Sequence, residues 1–356
     1  MEKIRVAFLG FWHSHASTNP DIQFTGLGVY GTVKEHPMIE SVIGWDWNEE
    51  RGKKECDRLN LPFSSDLDVV LGRDDIDGVV VMCETTRHKE VCLKAIEYKK
   101  HIYVNKVLTP TVKEAAEIVK AAKDNRIIIV TMLSRLYEDW CIKIRDLVRE
   151  KTIGDVISLR IWHAHGIVTK YYLTDGMGYL PDGHGFLQKE DGAGGCYVDM
   201  CHPQYMTPFI LGGLPQRIYS RMSSVTKRGN VEDNAISILE YADGPYVTLE
   251  EGWACGPVTT EVEVQGTDGT IMYRDDRSDT KYGYFVVRHG DDPKFHDIPI
   301  DAPKSSPLDE WIACIKNHVM PEENMDRAVE LSRLNEAAYI SAETKMPVEL
   351  SSLKEG

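Results

Sequence analysis

The sequence contains no long hydrophobic run, no cluster of basic residues and no Cys-x-x-Cys pair. None of the apolar stretches in its 356 residues approaches the ~18 residues that a transmembrane helix needs. The formal charge of −15 and the absence of a basic footprint argue against partners made of nucleic acid. The eight scattered cysteines indicate free thiols in a reducing compartment rather than a disulfide framework.

A strand-like run begins within a few residues of Met1, which leaves no room for a signal peptide. We therefore expect a cytoplasmic protein with no membrane partner. The composition is ordinary for a globular protein, and the length is sufficient for about two domains.

The first part of the chain alternates between strand-like and helix-like segments, which is typical of a parallel sheet with crossover helices. Three helices are predicted over 48–60, 88–100 and 111–125, where Thr111 and Glu114 have the spacing of a capping box. Five buried strands are predicted over 4–10, 41–47, 78–83, 101–106 and 126–133. We expect a Rossmann-type dinucleotide-binding domain over residues 1–130.

The second part of the chain has a different rhythm. A predicted helix over 138–151 is followed by a strand over 154–166 and then by several strands joined by short turns. This pattern predicts an α+β domain with a large, mostly antiparallel sheet over residues 131–356. Two C-terminal helices, over 307–319 and 325–345, are expected to pack back on the molecule.

The stretch that follows the first strand, Gly10-Phe-Trp-His-Ser-His15, fits two kinds of site. A strand that ends in glycine and enters a helix binds the pyrophosphate of a dinucleotide, and Ser14 could cap such a helix. Only Gly10 of the Gly-x-Gly-x-x-Gly pattern is present, because Trp12 and His15 stand at the other two glycine positions. The alternative is a metal site at His13 and His15, which would need further ligands. We favour the backbone turn and expect no metal.

Asp46 closes the second strand, where a carboxylate binds the ribose hydroxyls of NAD and repels the 2′-phosphate of NADP. It lies 36 residues beyond Gly10 instead of the usual ~20, so residues 18–40 look like an insertion after the first strand. Asp46 favours NAD over NADP, although Lys53 and Lys54 lie one turn away.

Three further stretches together resemble the Gfo/Idh/MocA family, which is named after glucose-fructose oxidoreductase and inositol dehydrogenase. Residues 77–109 are similar to the family's segment with a histidine at a helix start and a strand ending in Glu-Lys-Pro. Residues 192–206 are similar to its glycine run followed by Asp and His on one helix, and residues 335–350 to its closing helix and strand. The resemblance covers nearly the whole chain and implies a nicotinamide cofactor.

The chain departs from the family pattern at several of these positions. The Glu-Lys-Pro motif is replaced by Asn105-Lys106-Val107, and Glu84 stands where a proline is usual. Asp199 and His202 are three residues apart where four is typical, a spacing that still keeps both on one face of a helix.

The resemblance implies that Lys106, Asp199 and His202 act on a sugar or polyol hydroxyl. We expect His202 to accept the hydroxyl proton, Lys106 to polarise the oxygen, and Asp199 to orient the substrate or the His202 ring. The expected cofactor contacts lie at the ends of the first domain's strands: Gly10, Phe11, Trp12, His13, Ser14, His15, Asp46, Trp47, Cys83, Glu84, Thr85, His88, Asn105 and Lys106.

Four residues of the second domain are expected to contact the substrate. His163 and His165 project from one face of a strand with Ile157, and that face lines either the pocket or the core. Tyr172 and His184 belong to a glycine- and aromatic-rich loop that could cover a sugar.

Three functions fit these features. The first is an NAD(P)-dependent dehydrogenase that acts on a sugar or polyol, as a homodimer or homotetramer. The second is a hydrolase or lyase that uses tightly held NAD for a transient oxidation. The third is a non-catalytic nicotinamide-binding protein, which the altered Asn105-Lys106-Val107 motif makes conceivable.

Overall fold

The fold contains two sheets in succession along the chain. A computed structural model describes residues 3–13, 16, 28–164, 187–227, 229–242, 244–254, 259–276 and 283–356. The described strands are β1 Ile4–Leu9, β2 Ile39–Trp45, β3 Phe63–Ser64, β4 Gly78–Val81, β5 His101–Val104, β6 Ile129–Thr131, β7 Val156–Ala164, β8 Arg217–Ser223, β9 Asn234–Glu240, β10 Tyr246–Gly252, β11 Thr259–Gly266, β12 Gly269–Asp276, β13 Tyr284–His289, β14 His296–Asp297 and β15 Val348–Glu349.

The described helices surround and connect these sheets. They are α1 Gly28–Glu35, α2 Glu49–Leu59, α3 Leu67–Leu71, α4 His88–Glu97, α5 Val112–Asn125, α6 Asp139–Arg149, α7 Lys189–Gly192, α8 Cys196–Asp199, α9 His202–Leu211, α10 Pro307–Asn317 and α11 Glu322–Thr344. Short 3₁₀ turns occur at Thr85–Arg87, Ser134–Tyr137 and Leu350–Ser352.

The first sheet is entirely parallel and has the strand order β3-β2-β1-β4-β5-β6. This is the doubly wound order of dinucleotide-binding domains, whose ligands bind at the carboxyl ends of the strands. Hydrophobic clusters cover both faces of the sheet, as continuous apolar strands predict. The predicted Rossmann-type sheet is confirmed.

Local signals in the sequence fix the ends of several helices. Thr111 caps α5 by accepting from the Glu114 backbone N–H at 3.4 Å, and its hydroxyl donates to the Glu114 carboxylate at 3.0 Å. Asn48 caps α2 in the same way, with 3.0 Å to the Arg51 N–H. The predicted cap at Thr111 is confirmed.

The second sheet has nine strands in the order β14-β13-β12-β11-β7-β10-β9-β8-β15. Its pairs are antiparallel except for β7 with β10. One face packs on helices α6, α9 and α11 around a single large core. The predicted large, mostly antiparallel sheet is confirmed.

Three sequence expectations need correction. Residues 18–40 are not wholly an insertion, because α1 lies within them and β2 begins at Ile39. The first sheet has six strands instead of five, since Phe63 and Ser64 pair beside β2 over too few residues to show a period. Ile157 is 51% exposed near the start of β7, and only Leu159, Ile161 and His163 on its face are buried.

The C-terminal helix α11 connects the two sheets. The buried Asn324 carboxamide accepts from the Thr131 N–H at 2.7 Å and donates to the Thr131 carbonyl at 3.0 Å. Ser332 donates to the Thr109 carbonyl at 2.8 Å. The predicted boundary at 130/131 falls inside β6 and remains a prediction.

Among the helices that the structure describes, none combines the length and apolar character needed to cross a bilayer.

We expect Asn324→Ala to destabilise the protein by about 1–3 kcal/mol, because it removes the acceptor of the buried Thr131 N–H and leaves the Thr131 carbonyl with the Leu133 N–H as its remaining donor. Urea unfolding followed by tryptophan fluorescence measures the change, with exposed Glu323→Ala as the control. Equal midpoints for the two variants would show that the carboxamide does not hold α11 to β6.

Candidate active site

The turn after β1 requires glycine. Gly10 has φ +87°, its N–H donates to the Trp45 carbonyl at 2.7 Å, and a Cβ here would lie 2.4 Å from the Cys83 Cα. The next turn residues are also fixed: the Phe11 N–H donates to Asp46 Oδ2 at 2.7 Å and the His13 N–H to the Met82 carbonyl at 3.3 Å. This turn therefore lies against the ends of β2 and β4.

Trp12, at the second glycine position, is 5% exposed and lies against Gly192, just before α8. Its indole therefore packs on the second part of the chain. Among residues with described placement, no three His, Cys, Asp or Glu side chains are grouped as metal ligands. Ser14 and His15 lie outside the described residues.

Asp46 is fully buried and already accepts four hydrogen bonds. Its oxygens take the N–H groups of Phe11 and Asn48 and a bidentate pair from Arg51, at 2.7 and 2.8 Å. A carboxylate has about four acceptor positions, so ribose hydroxyls would have to displace one of these donors. The surroundings of Asp46 therefore differ from the open ribose acceptor that the sequence predicts.

Glu84 joins the same cluster from the end of β4. One of its oxygens accepts from Arg51 Nη2 at 2.8 Å and the other from Trp47 Nε1 at 2.8 Å. Trp47 is 45% exposed, and Arg87 lies over its ring at 4.6 Å. The exposed Trp47 indole thus lies beside Arg51, whose charge the buried carboxylates of Asp46 and Glu84 neutralise.

His88 connects two backbone segments at the carboxyl edge of the sheet. It is fully buried, and its ring nitrogens face the carbonyls of Val107 (3.0 Å), Leu108 (3.2 Å) and Cys83 (3.2 Å). Burial is the main cause that lowers its pKa to about 4, so the ring is neutral at pH 7. His88 therefore lies between the loop that contains Cys83 and the loop that contains Val107 and Leu108, and its contacts are with their backbone.

Lys106 and Asp199 form a buried ion pair at the end of β5. Lys106 Nζ lies 3.2 Å from Asp199 Oδ1 and also donates to the Asp199 backbone carbonyl. Trp253 Nε1 donates to Asp199 Oδ2 at 3.1 Å, and His13 Nε2 lies 3.7 Å from Oδ1. Burial alone lowers the pKa of Lys106, but the Asp199 carboxylate outweighs it and the pKa is raised, so the ammonium persists.

His202 lies beside this pair in a row of aromatic groups. Its Nδ1 is 2.6 Å from the Tyr205 hydroxyl, and its ring meets that of His163 edge-on at 5.0 Å between centroids. His163 is 4% exposed, with Nδ1 2.9 Å from the Thr260 hydroxyl. Burial is the main cause that lowers the pKa of His202 well below its ordinary value, and electrostatic interactions with His163, Arg135 and Lys106 lower it further.

The prediction that Asp199 and His202 lie on one helix is wrong. Asp199 ends α8 and His202 begins α9, so they do not share one helix, and the partner at His202 Nδ1 is Tyr205 instead of Asp199. The backbone turns at Met200 and Cys201, so spacing along a single helix does not apply.

Asn105 supplies a donor without an acceptor. It is 3% exposed, and in the part of the chain that the structure describes its Nδ2 has no hydrogen-bond partner. Thr85, also buried, begins the 3₁₀ turn Thr85–Arg87 and lines a small cavity with Lys106 and Gly194. An orphaned buried amide beside Lys106 fits a ligand with carbonyl or hydroxyl oxygens, such as a nicotinamide riboside.

Sequence reasoning missed five residues of the site because only the fold brings them there: Arg51, Arg135, Tyr205, Trp253 and Thr260. Two of the five left a local signal: Arg51 is a helical arginine five residues after Asp46, and Tyr205 lies three residues after His202. His165, Tyr172 and His184 lie outside the described residues and remain predictions.

Relatives of this chain have names that refer to sugars. It is 25% identical over 236 residues to the 1,5-anhydro-D-fructose reductase of Ensifer adhaerens, covering 65% of this chain and 66% of that protein. It is 22% identical over 255 residues to a 2,7-anhydro-N-acetylneuraminate hydratase of Mediterraneibacter gnavus, covering 69% and 65%. The matched regions thus span just under two thirds of these relatives.

A levoglucosan dehydrogenase solved with NADH and levoglucosan superposes with a TM-score of 0.77 and 17% identity, over 98% of this chain and 100% of that one. Residues 24–132 match the model of the oxidoreductase family with an NAD-binding Rossmann fold, and residues 141–272 match the GFO/IDH/MocA C-terminal domain. The chain belongs to the Gfo/Idh/MocA family of oxidoreductases.

Proposed function

We propose that this protein is an NAD(P)-dependent oxidoreductase that transfers hydride between the nicotinamide and a CH–OH carbon of a sugar or polyol. The observation that carries the proposal is the buried Lys106–Asp199 pair beside His202 at the carboxyl edge of the parallel sheet. The cofactor, when bound, supplies the hydride acceptor.

The proton chemistry follows from the side chains themselves. In the tautomer in which Nδ1 of His202 donates to Tyr205, Nε2 accepts the proton of the substrate hydroxyl. Lys106 directs two N–H groups at Asp199, and among the described residues its third has no acceptor, so it can donate to the substrate oxygen. A fixed ammonium stabilises the negative charge that develops there.

A second candidate is a hydratase or lyase that oxidises its substrate only transiently. The similarity to a 2,7-anhydro-N-acetylneuraminate hydratase supports it. A dehydrogenase releases one NADH per turnover, whereas a transient oxidiser forms product without accumulating NADH. Absorbance at the NADH band alongside product analysis therefore separates the two.

The arrangement around Arg51 supports NAD over NADP. Asp46 and Glu84 both pair with Arg51, which leaves no unopposed positive charge in this trio for a 2′-phosphate. Trp47 offers an exposed ring for stacking an adenine.

Exposed apolar residues on one face of the second sheet support a homo-oligomer. Ile236 and Ile238 on β9 and Tyr246 on β10 are 42%, 41% and 59% exposed on this face. Exposed apolar side chains on a sheet face are a common basis for contact between two copies of a chain. Light scattering should give the mass of two or four chains, and the mass of one chain would refute this part of the proposal.

We expect Lys106→Met to lower kcat for sugar oxidation by about 10²–10³-fold, because it removes the group that stabilises the alkoxide. A fluorescence titration with NADH tests whether the cofactor still binds, and NADH formation with a sugar panel reports the activity. Lys89→Met, at a partly exposed lysine paired with Glu117, is the control. Unchanged turnover in Lys106→Met would remove this lysine from the reaction, and no binding of either cofactor by the parent protein would reject the proposal.

The pH profile follows from the lowered pKa of His202. Oxidation needs the neutral ring, and a histidine with the ordinary pKa of ~6.5 would lose half its activity at that pH. Because the pKa of His202 is well below this, kcat/KM should stay flat from pH 8 down through 6.5 and fall only at lower pH. An acid limb centred at or above 6.5 would contradict the assignment.

Glu84→Gln should shift selectivity toward NADPH by about tenfold, or ~1.4 kcal/mol, because Arg51 then faces one carboxylate instead of two. The ratio of the Kd values for NADPH and NADH measures the shift. Exposed Glu50→Gln on α2 makes the same change in charge and should leave the ratio unaltered. A ratio equal in both variants would show that Glu84 does not restrain Arg51.

A further inference from the structure

Arg135 lies at the carboxyl edge of the first sheet, in the short turn Ser134–Tyr137 just after β6. It is only 7% exposed, which is rare for an arginine unless a carboxylate pairs with it closely. None of the steps proposed above uses its guanidinium.

Among the described residues, no carboxylate lies within hydrogen-bond distance of the Arg135 guanidinium. Nη1 lies 3.6 Å from Glu138 Oε1, beyond hydrogen-bond distance, and the Glu138 side chain is 33% exposed. Nε is buried and, within the described ranges, has no hydrogen-bond partner. Burying a charge without close partners is costly, and a guanidinium carries five donors in a planar fork. Such a group is ready to bind an oxygen ligand.

Two observations place Arg135 beside the active site. The Arg135 backbone N–H donates to the Tyr205 hydroxyl at 3.3 Å, and the same hydroxyl is 2.6 Å from His202 Nδ1. Arg135 also lowers the pKa of His202 more than Lys106 does. The charge of Arg135 therefore acts on the group proposed to take the substrate proton.

The other charges of the site are balanced. Lys106 is paired with Asp199, while burial lowers the pKa values of His13 and His202 and favours their neutral forms. Among the described residues, Arg135 is thus the positive group at the site that no carboxylate within hydrogen-bond distance cancels.

We propose that Arg135 binds a carboxylate of the substrate, so that the substrate is a sugar acid such as an aldonate or uronate. This inference rests on the proposed function and names the substrate class of the same site. A single arginine matches the charge and the planar two-oxygen geometry of one carboxylate. The phosphate dianion of a sugar phosphate carries more charge than one guanidinium balances.

The experiment compares sugar pairs that differ only at the acid group: D-glucuronate with D-glucose, D-galacturonate with D-galactose, and D-gluconate with sorbitol. The NAD-loaded protein is titrated with each by calorimetry, and NADH formation gives kcat/KM. We expect the acid of at least one pair to be preferred by tenfold or more, with the preference weakening as NaCl is raised. Glucose 6-phosphate is included, and its binding in preference to every acid would overturn the assignment to a carboxylate.

Two variants test the residue. Arg135→Gln should reduce the ratio of acid to neutral kcat/KM at least tenfold, and Arg135→Lys should restore part of that ratio because it retains the charge. Arg149→Gln, at an exposed arginine at the end of α6, should leave the ratio unchanged. If Arg135→Gln does not fold, the preference of the parent protein and its salt dependence decide the question.

A parallel NADH titration separates the two levels of the proposal. If NADH binds but acids and neutral sugars bind equally, or no acid binds, the role of Arg135 is refuted and the oxidoreductase proposal stands. If NADH does not bind, the proposed function fails first.

Discussion

The ion pair between Lys106 and Asp199 joins the two halves of the candidate site. Lys106 follows a strand of the first sheet, whereas Asp199 ends a helix that packs on the second, and both charges are largely buried. Removing one partner of a buried pair strands the other charge and typically costs 3–5 kcal/mol. Trp253 and His13 are arranged around the same carboxylate, so the geometry of the site depends on this contact.

Most of the buried charges at the carboxyl edge of the first sheet lie in ion pairs, which compensate the cost of burying them. Asp46 and Glu84 share Arg51 at the end expected to hold the adenosine, and Lys106 takes Asp199 at the end expected to hold the nicotinamide. Each of these buried charges has a close partner of opposite sign, whereas the nearest carboxylate to Arg135 among the described residues is 3.6 Å away. The distribution therefore favours an uncharged ribose at one end and an anionic group at the other.

Much of the fold could be predicted from local pattern, because the signals involve neighbouring residues. The apolar runs that became β1, β4 and β5 and the cap at Thr111 need no distant contact. The two-residue strand β3 left no such pattern, because its partner β2 decides whether it pairs. The prediction that Asp199 and His202 share a helix failed for a related reason, since the chain turns between α8 and α9.

The sequence by itself determined the order of strands and helices, the glycine turn at Gly10 and the likeness to a family of oxidoreductases. Only the tertiary structure decided what each site residue faces. Asp46 accepts the Phe11 N–H, His88 faces the Val107 carbonyl, and Asp199 accepts from Lys106 and Trp253. The physical reason is that periodicity and capping arise from contacts within a few residues. The partners of a buried group, in contrast, can come from distant segments of the chain, as Asp199 does for Lys106 and Asn324 does for Thr131.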